Sequence, residues 1–227
     1  MWPELGSPVL VCHMHLSGPH LAVLSEAMGG VLSALTATTR PLSGREVARL
    51  GGVPRTTAAR VLQDLVEHGL VRVQEAGAGA ALLYTLNREH LAAEPVIALM
   101  SMRRCFVERL KGELGSWPTP PLHASLFGSA ARGDGDTASD IDLFIVRPAA
   151  VSTEDPLWRD QVDRIAVRVF DWTGNHAGVS EVGEQDLGRL LHDRPPVIQE
   201  IEQDAVTLVG PSFRDLLAGQ RLAGSDS

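Results

Sequence analysis

The chain has little cysteine and no long apolar run, and both absences restrict the kind of protein it can be. Its 227 residues include only Cys12 and Cys105, which lie too far apart in sequence to form a metal-ligand pair. Two reduced thiols are favoured over one disulfide, because nothing else in the sequence indicates secretion. No apolar segment approaches the roughly 20 residues that cross a bilayer, and residues 9–12 are too short for a signal-peptide core. We therefore expect a soluble, cytoplasmic protein with no membrane partner.

Positive charge is scarce in the second half of the chain. Residues 1–115 hold 11 Arg and Lys against 10 Asp and Glu, a net charge of +1, whereas residues 116–227 hold 9 against 18, a net charge of −9. This difference suggests two units with different tasks. The acidic half could bind divalent cations and is a poor candidate for binding the phosphate backbone of a nucleic acid.

Three helices followed by two strands are predicted in the first half from hydrophobic periodicity, capping residues and turn residues. The first helix covers residues 21–36, the second begins at a capping box formed by Ser43 and Glu46, and Pro54 opens the third. The strands cover residues 70–74 and 81–86, with a glycine-rich turn between them. This order is that of a winged helix-turn-helix.

Residues 43–70 resemble the corresponding stretch of bacterial winged-helix regulators. In that arrangement the third helix enters the major groove of double-stranded DNA by its N-terminal end, where arginine pairs with guanine and threonine meets phosphates or a thymine methyl group. The expected DNA-contacting residues are Arg45, Arg55, Thr56, Thr57 and Arg60. The segment is barely basic and its wing tip lacks Arg and Lys, so a protein-binding or dimerisation module is the alternative.

An apolar strand, a Gly-Ser turn and two carboxylates follow one another in the second half. The strand is predicted at residues 123–127, and Gly128 and Ser129 follow it at the start of a helix. Glycine lets a phosphate approach the backbone closely, and the free amides at the start of a helix favour binding of that anion. Asp140 and Asp142 lie two residues apart on the next predicted strand and therefore share a face, roughly 6.6 Å apart. Adjacent carboxylates repel each other unless a cation lies between them. Mg²⁺ or Mn²⁺ suits the pair, with nucleotide phosphates as its further ligands.

Residues 123–146 resemble the minimal nucleotidyltransferase family of the DNA polymerase β superfamily, and the likeness continues more loosely to residue 210. The resemblance implies a nucleoside triphosphate, ATP being our first choice, as substrate or ligand. The expected nucleotide-binding residues are Gly128, Ser129, Arg132 and Ser139, and the expected metal ligands and catalytic carboxylates are Asp140 and Asp142.

A third carboxylate, which active members of that family carry on a later strand, is not at its expected position. That strand is predicted at residues 176–182, and counting back from the following helix places Gly178 where the acidic residue belongs. Glu181 is the nearest carboxylate, three residues further on, and Asp171 is a weaker substitute. Either the strand is shifted so that Glu181 serves as the third catalytic carboxylate, or the third ligand is missing.

These patterns predict an α+β chain with four parts. Residues 1–20 form an irregular lead-in, residues 21–87 the winged helix-turn-helix with three helices and a β-wing, residues 88–117 a long connecting helix, and residues 118–227 a polymerase-β-type nucleotidyltransferase domain with a mixed sheet and flanking helices. The connecting helix has a possible kink at Pro95. It would either pair with its copy in a homodimer or pack against its own domain.

Two functions are compatible with this organisation. The first is a Mg²⁺-dependent nucleotidyltransferase that moves a nucleoside monophosphate to a hydroxyl acceptor, coupled to a DNA-binding winged helix and antitoxin-like, with a toxin or another protein as acceptor. The second is a DNA-binding transcriptional regulator whose nucleotidyltransferase-like domain is degenerate and senses a nucleotide or binds a partner protein. Glu181 beside the aspartate pair would favour the first function, and an empty position at Gly178 the second.

Overall fold

The computed structural model of the protein describes residues 14–75, 82–135 and 139–224, and these divide into two compact units. Residues 18–105 form one unit, and residues 14–17 together with residues 106–224 form the other. The predicted wing tip at residues 76–80 and Cys12 lie outside the described residues, and Cys105 is an exposed free thiol. Within the described ranges, no helix is long and apolar enough to cross a membrane.

The unit of residues 18–105 is a winged helix-turn-helix, as predicted. Its elements are a 3-10 turn (Pro19–Ala22), α1 (Glu26–Thr36), β1 (Leu42–Ser43), α2 (Gly44–Leu50), α3 (Arg55–Glu67), β2 (Val71–Glu75), β3 (Leu82–Leu86) and α4 (Ala93–Met100). The strands pair antiparallel in the order β1-β3-β2. The predicted capping box at Ser43 and Glu46 is present at the start of α2. Helix α1 begins later than predicted, because the Ser25 side chain caps it by accepting a hydrogen bond from the Met28 amide.

The predicted connecting helix is two helices, α4 and α5 (Met102–Gly115), so the single helix over residues 88–117 is a wrong prediction. Pro95 lies in the first turn of α4. Amides in the first turn of a helix have no carbonyl partner within the helix, so proline breaks no hydrogen bond there and causes no kink. The break falls at Ser101, whose hydroxyl donates to the Ile97 carbonyl at 2.8 Å. This local hydrogen bond competes with continuation of the helix.

The second unit is built on a four-stranded mixed sheet. Its elements are α5, β4 (His123–Phe127), α6 (Gly128–Arg132), β5 (Ile141–Arg147), α7 (Pro156–Thr173), β6 (Ala177–Gly183), α8 (Leu187–Asp193), α9 (Pro196–Asp204), β7 (Val206–Val209) and α10 (Phe213–Gly224). The strand order is β6-β5-β4-β7, and α7 connects the parallel pair β5 and β6. The remaining pairs are antiparallel.

The two faces of this sheet pack against different helices. Leu126, Leu143 and Ile145 lie in a core with buried residues of α5 and α7. Phe127 and Phe144, on the other face, pack against buried residues of α9 and α10. Because side chains alternate along a strand, Asp142 belongs to the face of Phe144, at the end of β5 where that core stops.

Residues 14–17, called the anchor segment, belong to this second unit although they precede the winged helix in sequence. Leu16 is 3% exposed and lies in the core that contains Phe106, Leu110 and Leu114. The predicted irregular lead-in of residues 1–20 therefore differs from the structure over the anchor segment, because burial of Leu16 fixes it to the sheet domain.

Candidate functional site

The carboxylate of Asp142 lies between two glycines on neighbouring chain segments. Asp142 pairs with Phe127 on one side and with Gly178 on the other. Gly128 follows Phe127 with φ of +67°, and a Cβ atom there would lie 2.6 Å from Oδ2 of Asp142. A Cβ atom at Gly178 would lie 3.2 Å from Oδ1. Backbone therefore approaches both oxygens of Asp142 closely.

The Asp142 carboxylate is affected by two other carboxylates at this end of the sheet. Asp142 is half-buried, and burial raises the pKa of its carboxyl, as do the charges of Asp140 and Glu200. Asp140 immediately precedes β5 and is exposed. Glu200 is an exposed residue of α9, which packs against α6. The repulsion implied by these interactions would be relieved by a cation.

Glu181 does not join the aspartate pair. It aligns with Ile145 of β5, which lies on the face opposite to Asp142, and its Oε1 accepts a hydrogen bond from Nε of Arg147 at 2.7 Å. Arg147 is 4% exposed, and its guanidinium also donates to the carbonyl of Val151. The strand is not shifted, and Glu181 leaves the set of catalytic candidates.

Gly178 occupies the position that the resemblance to active nucleotidyltransferases assigns to the third carboxylate. It lies directly beside Asp142 in the parallel register and is exposed. In the described ranges no group of three or more His, Cys, Asp or Glu side chains is arranged to hold a metal ion.

The expected nucleotide-binding residues lie around the loop between α6 and β5. Ser129 is half-buried, and its hydroxyl lies 3.0 Å from where a Cβ atom of Gly135 would be. Arg132 already forms ion pairs, at 3.1 Å with Asp134 and at 3.4 Å with Asp204. A phosphate would have to compete with these carboxylates for Arg132. The carbonyl of Ser139 accepts a hydrogen bond from Asn175.

The aspartate pair fits a metal ion that arrives with a nucleotide. Mg²⁺ is usually held by one or two carboxylates together with phosphate oxygens and water, not by a cage of protein ligands. Asp140 and Asp142 offer that number of carboxylates, and the pKa of Asp142 is raised by burial and then by the charges of Asp140 and Glu200. The two aspartates would therefore fit one ion that is held jointly with nucleotide phosphates.

The expected DNA-contacting residues lie on the surface of the winged helix. Arg45, Arg55, Thr56 and Arg60 are exposed, and Thr57 is half-buried. In the parts of the chain that the structure describes, none of these arginines forms an ion pair, unlike Arg40 and Arg72. Three guanidinium groups on α2 and α3 are thus available for phosphates or bases.

Three residues near the site were not anticipated from the sequence. Asn175 is fully buried beside Ser139, Ser17 of the anchor segment hydrogen-bonds to Gly135, and Glu200 acts on Asp142 from α9. Ser17 lies in a stretch without periodicity, and Glu200 is separated from Asp142 by most of the domain. Only Asn175 could have been located from the sequence, because it follows Gly174, the glycine that ends α7 in a left-handed conformation.

Comparison with known proteins identifies two domains. Residues 29–75 match the family model of the IclR helix-turn-helix domain, and residues 107–210 match that of the nucleotidyltransferase domain. A solved structure assigned to the nucleotidyltransferases, from Sulfolobus solfataricus, matches with 21% identity over 48% of this chain and 79% of that chain, at a TM-score of 0.28. No curated protein matches the chain.

Proposed function

Because a nucleotidyltransferase domain follows an IclR-type helix-turn-helix in this chain, we propose that the protein is a DNA-binding regulator that binds a nucleoside triphosphate with Mg²⁺ without transferring the nucleotide. The observation that carries this proposal is Gly178 beside Asp142. The domain keeps two of the three carboxylates that the resemblance to active nucleotidyltransferases requires.

Nucleotide binding is supported by the groups that remain around the loop. Gly128 lets the backbone pass close to Asp142, and Ser129 offers a hydroxyl next to the loop. Asp140 and Asp142 would hold Mg²⁺, which would neutralise charge on the nucleotide phosphates when bound. ATP is the first nucleotide to test, and Mn²⁺ the first substitute ion.

We expect no detectable transfer because of the proton balance of the reaction. In nucleotidyl transfer a hydroxyl oxygen attacks the α-phosphorus, the bond to pyrophosphate breaks, and the hydroxyl proton needs an acceptor. Gly178 has no side chain to accept it, and Glu181 is engaged by Arg147 on the other face of the sheet. The bound nucleotide then acts as a signal rather than as a substrate.

The test is restoration of the third carboxylate. Wild type, Gly178→Asp and the matched control Gly178→Ala are incubated with Mg²⁺, host lysate and ATP labelled at the α-phosphate, and ATP binding is measured by calorimetry. We expect wild type and Gly178→Ala to bind ATP without labelling any acceptor, and Gly178→Asp to gain label transfer. Transfer by the wild type at the level of Gly178→Asp, or no binding of any of ATP, GTP, CTP and UTP, would contradict the proposal.

One observation favours a second candidate, the active enzyme. The charge of Glu200 acts on Asp142, so α9 could supply the missing carboxylate once a nucleotide and an acceptor are bound. The chain would then transfer a nucleoside monophosphate to a hydroxyl of a toxin, another protein or RNA. In that case wild type labels an acceptor, and Glu200→Gln loses labelling while it keeps ATP affinity.

A further inference from the structure

The anchor segment is held to the second unit by directional hydrogen bonds as well as by the burial of Leu16. The Met14 amide donates to the side-chain oxygen of Asn175 and to the carbonyl of Thr173, each at 2.9 Å. Ser17 donates to the carbonyl of Gly135, through its hydroxyl at 2.9 Å and its amide at 3.4 Å. The segment thus contacts both the end of α7 and the loop that precedes the aspartate pair.

Asn175 connects the anchor segment to Asp140. Its side chain is fully buried, and its Nδ2 donates to the carbonyl of Ser139 at 3.1 Å. Its own amide donates to the hydroxyl of Thr173 at 3.0 Å, which fixes the backbone from which the side chain extends. On the other side of Asp140, the amide of Ile141 donates to the carbonyl of His176 at 2.9 Å. The backbone of Asp140 is therefore held on both sides by residues 175 and 176.

Ser17 connects the anchor segment to Ser129. The carbonyl of Gly135, which Ser17 binds, belongs to the residue that lies against the Ser129 hydroxyl. The Ser17 hydroxyl has one hydrogen, which it donates to Gly135, so it accepts from Nδ1 of His15 at 2.8 Å. The anchor segment is therefore connected by hydrogen bonds to two points of the loop between α6 and β5. Ser17 connects it to Gly135, and Asn175 connects it to Ser139.

We propose that the anchor segment is part of the nucleotide site, with Ser17 and Asn175 as positioning residues that hold the Ser129 and Asp140 ends of the loop in register. This inference rests on the proposed nucleotide binding. Residue 18 begins the winged-helix unit, so the peptide that enters that unit is the one that shapes the site. Nucleotide affinity then depends on a segment that lies far from the aspartate pair in sequence.

The experiment compares four variants of the full chain. Ser17→Ala and Asn175→Ala each remove one tie to the loop, and Ser17→Thr keeps the hydroxyl. Gln161→Ala is the matched control, because Gln161 is also a fully buried amide that holds a chain segment, through two hydrogen bonds to Thr119 at 3.0 Å. The dissociation constant for ATP with Mg²⁺ is measured well below the unfolding temperature of every variant. Amide hydrogen exchange of residues 133–135 and 139–141 is measured without nucleotide.

We expect Ser17→Ala and Asn175→Ala to weaken ATP binding about 10-fold, since groups that orient metal ligands typically contribute 10- to 100-fold. Without nucleotide, Ser17→Ala should exchange faster at residues 133–135 and Asn175→Ala at residues 139–141, whereas Ser17→Thr and Gln161→Ala remain at the wild-type values. Unchanged affinity and exchange in the first two variants, or equal losses in Gln161→Ala, would overturn the inference. If wild type binds no ATP, the proposed function fails, and the exchange comparison still decides whether the anchor segment positions the loop.

Discussion

At the scale of single residues, the two glycines that flank Asp142 differ in how strictly the backbone requires them. At Gly128 a side chain is excluded both by the positive φ and by the 2.6 Å approach of Asp142. Gly178 has no positive φ, is exposed, and would bring its Cβ atom no closer than 3.2 Å to Asp142. The backbone therefore demands a glycine at Gly128, whereas at Gly178 a Cβ atom requires only that the Asp142 carboxylate shift by a few tenths of an ångström.

Glu181 is expected to contribute to stability and not to nucleotide binding. In Glu181→Ala the buried guanidinium of Arg147 loses its ion partner, which should lower the free energy of unfolding by about 1–3 kcal/mol. Urea denaturation measures this loss, and calorimetry should find ATP affinity unchanged. Glu154→Ala is the control, because its pair with Arg159 is exposed on both sides and should be worth less than about 1 kcal/mol. If Glu181→Ala instead weakened ATP binding without changing stability, Glu181 would belong to the nucleotide site.

The stability of the nucleotidyltransferase unit should fall as the pH is lowered below neutrality, through His123. This residue is fully buried on β4, and burial lowers the pKa of its imidazole below the ordinary value of 6.5. Below that value the unfolded chain takes up a proton that the folded chain resists, so the free energy of unfolding decreases as the pH falls. We expect urea midpoints between pH 7 and pH 5 to fall less steeply in His123→Gln than in wild type. Parallel curves would exclude this contribution.

Individual site residues could be predicted where strand periodicity governs them. The two-residue spacing places Asp142 on the face of Phe144, and counting along β6 places Gly178 opposite Asp142. Periodicity could not reveal the ion pair of Glu181 with Arg147, since each residue sits on its own strand and the pairing depends on the register between them. Glu200 could not be assigned, because the packing of α9 is a tertiary property.

At the scale of elements, α1 and the end of α2 approach each other through Gly30 and Gly51. A Cβ atom at Gly30 would overlap the carbonyl oxygen of Gly51 and lie 2.7 Å from Cγ2 of Val53. Gly30→Ala should therefore destabilise the winged helix by about 1–3 kcal/mol through overpacking, although alanine is the better helix former. Gly112→Ala in α5 meets nothing within 4 Å and should stabilise by up to about 1 kcal/mol. If the unfolding temperature changed in the same direction in Gly30→Ala and Gly112→Ala, the close approach of α1 to the end of α2 would be contradicted.

Elements with local signals were predicted well, and elements without them were not. The capping box of α2 and the proline at the start of α3 are encoded within a few residues, and both helices begin where these signals indicate. The two-residue strand β1 has no sequence pattern of its own and exists because it pairs with β3. The break at Ser101 was also missed, since an apolar pattern continues across it.

At the scale of the whole molecule, the charge distribution favours the winged helix as the part that could bind nucleic acid, because residues 116–227 carry a net charge of −9. If DNA binds there, its affinity should fall steeply with salt. Arg55→Ala with Arg60→Ala should lower the salt slope by up to about 2, since each phosphate that a side chain neutralises adds roughly 0.9 to that slope. Arg159→Ala, on the exposed surface of the other unit, should change neither the affinity nor the slope. A flat salt response of the wild type would indicate a protein-binding module instead.

The order of the two domains could be read from the sequence, but their limits could not. A composition-based boundary falls where prolines cluster near residue 118, whereas the second unit begins at residue 106 and includes residues 14–17. Burial of Leu16 among residues of α5 is what joins those pieces. Contacts between residues so distant in sequence leave no local pattern.

The unit of residues 18–105 is inserted between two pieces of the other unit, which stop at Ser17 and resume at Phe106. Helix α5 begins at Met102, so we expect that replacing residues 18–101 would exchange the helix-turn-helix and leave both the anchor segment and α5 intact. Simple truncation before residue 106 would instead remove Leu16 from the core and the hydroxyl of Ser17 from Gly135. In a chimeric protein built from this chain, a new domain must therefore be joined to both pieces of the second unit, not to one of them.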